Sequence, residues 1–241
     1  MIAVPVSLTF AWWGTAWLRG RAAADDVLDA LAEHGVRHVF AAPGEDPATA
    51  AEVLGGLRRA GARELGAAFP APGDPVGLGG PRDLNAAAID AGEAVLAPAA
   101  GVGWVPAAVG AAVEWEQHPA SRRPLPDVGA ADRALRAALL DAADRLARLD
   151  VARWNPDMAD DLLDLTAVPR LDAPDGVPAR CVQLAARGLR MLRVVELGTG
   201  DDGAAVTLGE TVARRAVLDD LARAARHALT AAASPEAWPP D

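Results

Sequence analysis

The three phenylalanines of this chain fall at positions 10, 40 and 69, and a glycine follows each four residues later. The segments read Phe10-Ala-Trp-Trp-Gly14, Phe40-Ala-Ala-Pro-Gly44 and Phe69-Pro-Ala-Pro-Gly73, and Ala97-Pro-Ala-Ala-Gly101 repeats the outline without the ring. A period near 30 residues is the size of one strand–helix–strand unit. The recurrence predicts strands closing at Phe10, Phe40, Phe69 and Ala97, mutually parallel, with right-handed crossovers and their glycine loops on one sheet edge. An eightfold barrel would share the period, but only four units are followed by a purely helical half, which argues against it.

The segments between fit this scheme. Val4, Val6, Leu8 and Phe10 alternate with smaller or polar residues, as in a buried strand. Ala22 to His34 is helical, with Val27, Leu28 and Leu31 on one face and Gly35 as its stop. Val36 to Ala41 reads as a strand. Asp46-Pro47 reads as a cap followed by proline at the first helical position, opening a helix lined by Val53, Leu54 and Leu57 that ends at Gly61. Glu64 to Phe69 is a strand, Pro70 to Pro81 a loop, Leu84 to Ala91 a helix and Glu93 to Ala97 a strand. Gly103 to Val109 and Ala112 to Gln117 read as short antiparallel additions.

Beyond them only helices are expected. Asp132 to Arg153 spaces Leu135, Leu139, Ala142, Leu146 and Leu149 by four and three, with acid-before-arginine pairs Asp132–Arg136, Asp141–Arg145 and Asp144–Arg148. Asn155-Pro156-Asp157 caps a short acidic helix. Arg180 to Leu197 turns Cys181, Leu184, Gly188, Leu192 and Val195 inward and carries a basic face of Arg180, Arg187, Arg190 and Arg193. Thr207-x-x-Glu210 is a capping box for the last helix. The fold expected is therefore α/β: an N-terminal, mainly parallel βα-repeat sheet with antiparallel additions, then a C-terminal α-helical subdomain. The divisions are 1–117 for the sheet domain, 118–127 for a linker, 128–231 for the helices and 232–241 for a tail.

Composition narrows the chemistry. Of 241 residues, 51% are hydrophobic and 23% charged, which excludes a disordered chain. The alanine, arginine and glycine excess is what a GC-rich coding sequence gives. All 23 basic residues are arginine. Without lysine, P-loop nucleotide binding and pyridoxal phosphate or Schiff-base chemistry are excluded. The lone Cys181 excludes an iron–sulfur cluster, an intramolecular disulfide and a thiolate zinc cage. A net charge of −10 leaves no basic surface for nucleic acid or an anionic membrane. The apolar N-terminus has no positive n-region, its first arginine being Arg19, so it reads as buried structure in a cytoplasmic protein.

In a parallel sheet, ligands bind where strand C-terminal ends share an edge. That rule gathers Trp12, Trp13 and Thr15 with the carboxylates Glu45, Asp46 and Asp74, the candidate catalytic groups. The loop from Gly73 to Arg82 adds an anion cradle of backbone N–H groups at Gly77, Gly79 and Gly80, with Arg82 and Asn85 at the following helix. Ordinary roles compete for each: Asp46 caps a helix, Asp74-Pro75 is a turn, the tryptophans fill core, and the glycine run is a plain connection. His34 and His38 are separated by a helix-breaking glycine, so no metal site is expected. None of the three serines lies in a nucleophile elbow.

Two functional classes follow. In the first, the protein is non-catalytic and binds a protein partner or forms a homodimer through its C-terminal helices. In the second, it binds a small metabolite at the strand-end cleft, or is an enzyme there using carboxylate or oxygen-liganded metal chemistry. No cofactor is identified beyond those excluded. The first class is preferred. Carboxylates found in a concave pocket would favour the second.

Overall fold

The apolar N-terminal run folds as a helix, not as the expected strand. Helix α1 spans Val6–Leu18, with Pro5 as the residue before it. Val6, Leu8 and Phe10 are buried as the alternation implied, but so are Ser7, Ala11 and Trp12 between and after them. A helix enclosed on nearly every side has no polar face to mark its 3.6-residue period, and a two-residue pattern is then satisfied by accident. The Glu93 carboxylate closes its first turn, accepting the Ser7 backbone N–H at 2.9 Å. The computed structural model describes residues 3–35, 37–148, 170–200 and 208–238.

After α1 come α2 (Ala24–Ala32), β1 (Arg37–Ala41), α3 (Ala50–Arg59), β2 (Gly66–Ala68), α4 (Arg82–Ala91), β3 (Ala94–Ala97), β4 (Val102–Val109) and β5 (Ala112–Pro119). The strands form one sheet in the order β1-β5-β4-β3-β2. Only β1 and β5 are parallel; every other pair is antiparallel. The expectation of a mainly parallel sheet is corrected here, and the cause lies in the connections. Gly110 at φ 61° turns β4 directly into β5, and a single 3-10 turn ending on Gly101 joins β3 to β4. Such short links allow hairpins but no crossover.

One sheet face carries the core. Phe40 and Trp115 are register partners, and their rings stack at 5.3 Å. Phe10 of α1 closes on both at 5.4 Å. His38 joins the cluster: its Nε2–H donates to the Leu31 carbonyl at 2.8 Å, and its Nδ1 accepts the Trp115 indole N–H at 3.0 Å. On the opposite face, Leu84 and Ala88 of α4 cover Leu96 and Val105.

The C-terminal region is helical as expected: α5 (Val128–Arg148), α6 (Ala179–Gly200) and α7 (Leu208–Ala232). Helix α7 packs along both others. Gly188 permits a close crossing, since a Cβ there would lie 3.1 Å from the Ala225 carbonyl oxygen. On α5, Leu135 and Ala142 are buried while Leu139 faces outward. Asp132 pairs with Arg136 and with Arg187 of α6, and Arg145 bridges Asp141 and Asp220 of α7 at 3.1 Å each. The expected acidic helix after Asn155 and the Thr207 cap lie outside the described residues.

Arg123, in the segment before α5, ties the two halves together. Its side chain is 1% exposed. It donates to the carbonyls of Ala67 and Gly77 at 3.3 and 3.1 Å, to Ser234 Oγ at 3.0 Å and to the Glu236 carboxylate at 3.2 Å. Ala232, Ala233 and Ser234 are fully buried, and Ala67 N–H of β2 donates to the Ala233 carbonyl at 3.1 Å. No helix among the described residues is long and apolar enough to cross a membrane.

Candidate functional site

The chain leaves β1 at Ala41, folds back so that Phe40 and Ala48 exchange backbone hydrogen bonds at 2.9 and 2.8 Å, and starts α3. The cap of α3 is Thr49, not Asp46. Thr49 Oγ1 accepts the Glu52 N–H at 3.3 Å, and Glu52 Oε2 accepts the Thr49 N–H at 2.7 Å. This reciprocal box satisfies two orphan donors at the helix start. It leaves Glu45 and Asp46 exposed on the loop.

Between this loop, α3 and the sheet lies a cavity of about 280 Å³. Glu45, Asp46 and Glu52 stand at it with Val53, Leu57 and Gly56 of α3, while Phe40, Trp104 and Gln117 come from the sheet. Trp104 and Gln117 are register partners on adjacent strands and therefore share this face. Trp104 is 2% exposed, and its buried indole Nε1–H has no hydrogen-bond partner among the described residues. Sequence reading had placed Glu45 and Asp46 at a strand end, and they are there. It missed Trp104, Gln117 and Gly56. A signal for the last was visible: Gly55-Gly56 sit inside a helix, where glycine costs roughly 1 kcal/mol against alanine.

Asp74 does not join them. The pairings run β1 and β3 one way and β2 the other, so the loop after Phe69 emerges at the opposite sheet edge from Glu45 and Asp46. The three-carboxylate cleft is thereby corrected: it required parallel strands. Asp74 closes a tight turn with Ala71 and is 7% exposed. Its Oδ2 accepts from Arg226 Nη2 at 2.8 Å and Nε at 3.2 Å, and its Oδ1 lies 2.9 Å from His227 Nε2. Burial pushes this carboxyl up, but the hydrogen bonds and charges of His227 and Arg226 outweigh it and hold it below the ordinary carboxylate value. Asp74→Asn, which keeps the turn and deletes the charge, should therefore lose about 1–2 kcal/mol, reduced from a fully buried pair because His227 is partly solvated. Thermal unfolding checks this, and an unchanged melting temperature would show the contact to be inert.

The remaining candidates take structural positions. A Cβ on Gly77 would lie 2.6 Å from Thr230 Cγ2, and one on Gly79 only 2.1 Å from the Arg122 carbonyl oxygen. These glycines allow close packing of the loop on its neighbours. The Gly80 N–H donates to Asn85 Oδ1 at 3.0 Å, so Asn85 holds the loop, and Arg82 is exposed at the start of α4. Trp12 donates its indole N–H to the Ala232 carbonyl at 3.2 Å. Thr15 Oγ1 donates to the Leu65 carbonyl at 3.0 Å and accepts the Leu65 N–H at 2.9 Å.

Trp12 and Trp13 line a second cavity, of about 370 Å³, together with His34, Glu33 and Asp172. Thr9 Oγ1 lies 2.8 Å from His34 Nε2 there, and burial, with the nearby His38, holds His34 below its ordinary value. Burial pushes the Cys181 thiol up to about 11, making it a core group rather than a nucleophile. Among the described residues, no group of three or more histidine, cysteine or acidic side chains is placed to hold a metal.

Together these features define an α/β protein with a C-terminal helical region and a shallow, acid-rimmed apolar cavity beside an edge strand. The chain belongs to the Rv1486c-like protein family: the family's N-terminal domain matches residues 7–130 and its C-terminal domain residues 129–230. It is 28% identical to a Mycobacterium tuberculosis (strain CDC 1551 / Oshkosh) protein named Uncharacterized protein MT1533, over 97% of this chain and 98% of that one. It is 27% identical to Uncharacterized protein Rv1486c of strain ATCC 25618 / H37Rv, with the same coverage of 97% and 98%. No solved structure matches it.

Proposed function

We propose that the protein binds a small organic molecule in the cavity between α3 and the sheet. The observation that carries this reading is the cavity itself, about 280 Å³, walled by Phe40, Val53, Leu57 and Trp104 and rimmed by Glu45, Asp46 and Glu52. The cavity, at about 280 Å³, lies just below the range typical of drug-sized ligands, which suits a smaller molecule. Gly56 supports the reading, because protein packing does not require it: within 4 Å, a Cβ there would meet only Arg59 Nη2, at 3.9 Å.

The test uses that glycine. Gly56→Ala should raise stability by roughly 0.5–1 kcal/mol, since it removes backbone entropy from the unfolded chain. Gly56→Leu, also a good helix former, should project into the cavity and block it. In a thermal-shift screen, compounds that stabilise the wild type should leave Gly56→Leu unshifted. Equal shifts in both proteins would move the binding site elsewhere.

A second reading, self-association, is favoured by the exposure of the adjacent Leu139 at 43% and Leu140 at 70% on α5. Symmetric dimers are the commonest oligomers, and an exposed apolar pair is a usual seed for one. Light scattering of the wild type should then report a dimer at micromolar concentration, and Leu140→Glu a monomer. A monomeric wild type rejects this reading. The acidic surface and lone buried cysteine accord with a cytoplasmic setting for either role.

A further inference from the structure

We infer that the outer face of α5 is a dimer contact, pairing antiparallel with the α5 of a second copy of this chain. This rests on the self-association reading above and specifies its geometry. Ala130, Arg133, Ala137, Leu140, Asp144 and Ala147 follow one another by alternating steps of three and four, the heptad spacing by which one helix meets another. All six are exposed, Leu140 at 70%. The face that α5 buries within its own chain is a different one, carried by Val128, Ala131, Leu135 and Ala142. One side of the helix is therefore occupied inside the fold, and the other repeats the pattern of a helix contact toward solvent.

The charges select the occupant. Beside the seam, Arg136 pairs with Asp132 and Arg145 with Asp141, so those positions are satisfied by their own helix. Within the seam, Arg133 and Asp144 form no ion pair among the described residues, and Asp144 does not close on Arg148. A two-fold axis level with Ala138 and Leu139 sets Arg133 of each copy opposite Asp144 of the other. The same axis sets Leu140 against the small Ala137, and Ala130 against Ala147. A parallel pair in register would instead oppose arginine to arginine and aspartate to aspartate, which is unfavourable. An apolar segment of another protein would leave both charges unmatched. A second copy turned end for end answers both with residues already present, in the closed symmetry usual for dimers. The seam covers about 26 Å of helix, so association in the micromolar range is expected rather than a permanent dimer.

Charge reversal on the full chain, followed by analytical ultracentrifugation, tests the seam. Arg133→Glu opposes acid to acid in a pair of like copies, and Asp144→Arg opposes base to base. Each variant alone should associate about tenfold more weakly than the wild type, or worse, with circular dichroism showing unchanged helix content. Mixed in equal amounts, the two variants should regain the wild-type dissociation constant to within about threefold, because each supplies the charge the other lacks. A second pair of variants reads direction. Ala130→Cys and Ala147→Cys stand at opposite ends of the seam, and the native Cys181 is buried and does not compete. Under mild oxidation the mixture should cross-link one variant to the other, while neither cross-links alone.

Wild-type association that Arg133→Glu leaves unchanged would overturn the α5 seam and leave self-association standing through another surface. Two weakened variants that stay apart on mixing would overturn the pairing of Arg133 with Asp144. Cross-linking of Ala130→Cys to itself would overturn the antiparallel arrangement. A wild type that stays monomeric rejects the self-association reading, and the seam with it.

Discussion

Replacing Arg123 with methionine should lower unfolding free energy by about 3–5 kcal/mol, the usual result of removing one partner from a buried charged network. Methionine fills most of the volume, so the loss reflects the guanidinium. Its donors satisfy two backbone carbonyls, a buried hydroxyl and Glu236 at once. Burial lowers the arginine's affinity for its proton, and Glu236 counters this. Glu236→Gln should cost less, since that carboxylate is 27% exposed and water can replace part of its contact. Urea denaturation distinguishes the two variants through their midpoints at unchanged slope. Equal, small losses would show that Arg123 is held by its surroundings rather than holding them.

Trp115→Ala should be comparably damaging, again about 3–5 kcal/mol, because it empties the centre of the Phe10–Phe40–Trp115 cluster. Trp115→Phe separates packing from hydrogen bonding. In the native protein, Nδ1 of His38 accepts from Trp115 while Nε2 donates to Leu31, which fixes a neutral ring. Burial holds His38 below its ordinary 6.5, against the Leu31 carbonyl, which favours the charged form. The unfolded chain therefore takes up a proton before the folded one does. This contribution to stability is full above pH 6.5 and declines as pH falls below that value. With phenylalanine at 115, Nδ1 is free to be protonated, so the His38 titration followed by NMR should move up and the acid-side decline should flatten. A titration unchanged by Trp115→Phe would mean the indole does not govern the ring.

The Phe-x-x-x-Gly recurrence marks real punctuation in the chain, though not the punctuation first inferred. At Phe40, Phe69 and Ala97 a strand does end on a turn whose glycine has positive φ: 77° at Gly44, 78° at Gly73 and 71° at Gly101. Local chemistry dictates such turns, so the sequence shows them. Strand direction is different, because it depends on which distant segments pair. Nothing local in Gly66–Ala68 distinguishes a parallel neighbour from the antiparallel β3. The same limit hid Asp74's role: its partners, Arg226 and His227, lie 152 and 153 residues away. Helices with one polar face were legible, as α2, α3 and α4 show. The enclosed α1 was not, because its burial erased the contrast that periodicity needs. Two of the three carboxylates lie at the expected strand end for the same reason that the turns were legible, since Glu45 and Asp46 follow directly from where β1 stops.

The anchoring of Arg123 by Ser234 and Glu236 also sets an order of events during synthesis. The partners of Arg123 near the carboxyl end, Ser234 and Glu236, are made 111 and 113 residues after it. At roughly 5–20 residues per second, that is on the order of ten seconds of translation. Throughout that interval the edge of β2 lacks its contact with Ala233, and the arginine lacks its carboxylate. The sheet is therefore the first half made and the last half completed. A ribosome stalled shortly before residue 230 would present a nascent chain with that edge still open.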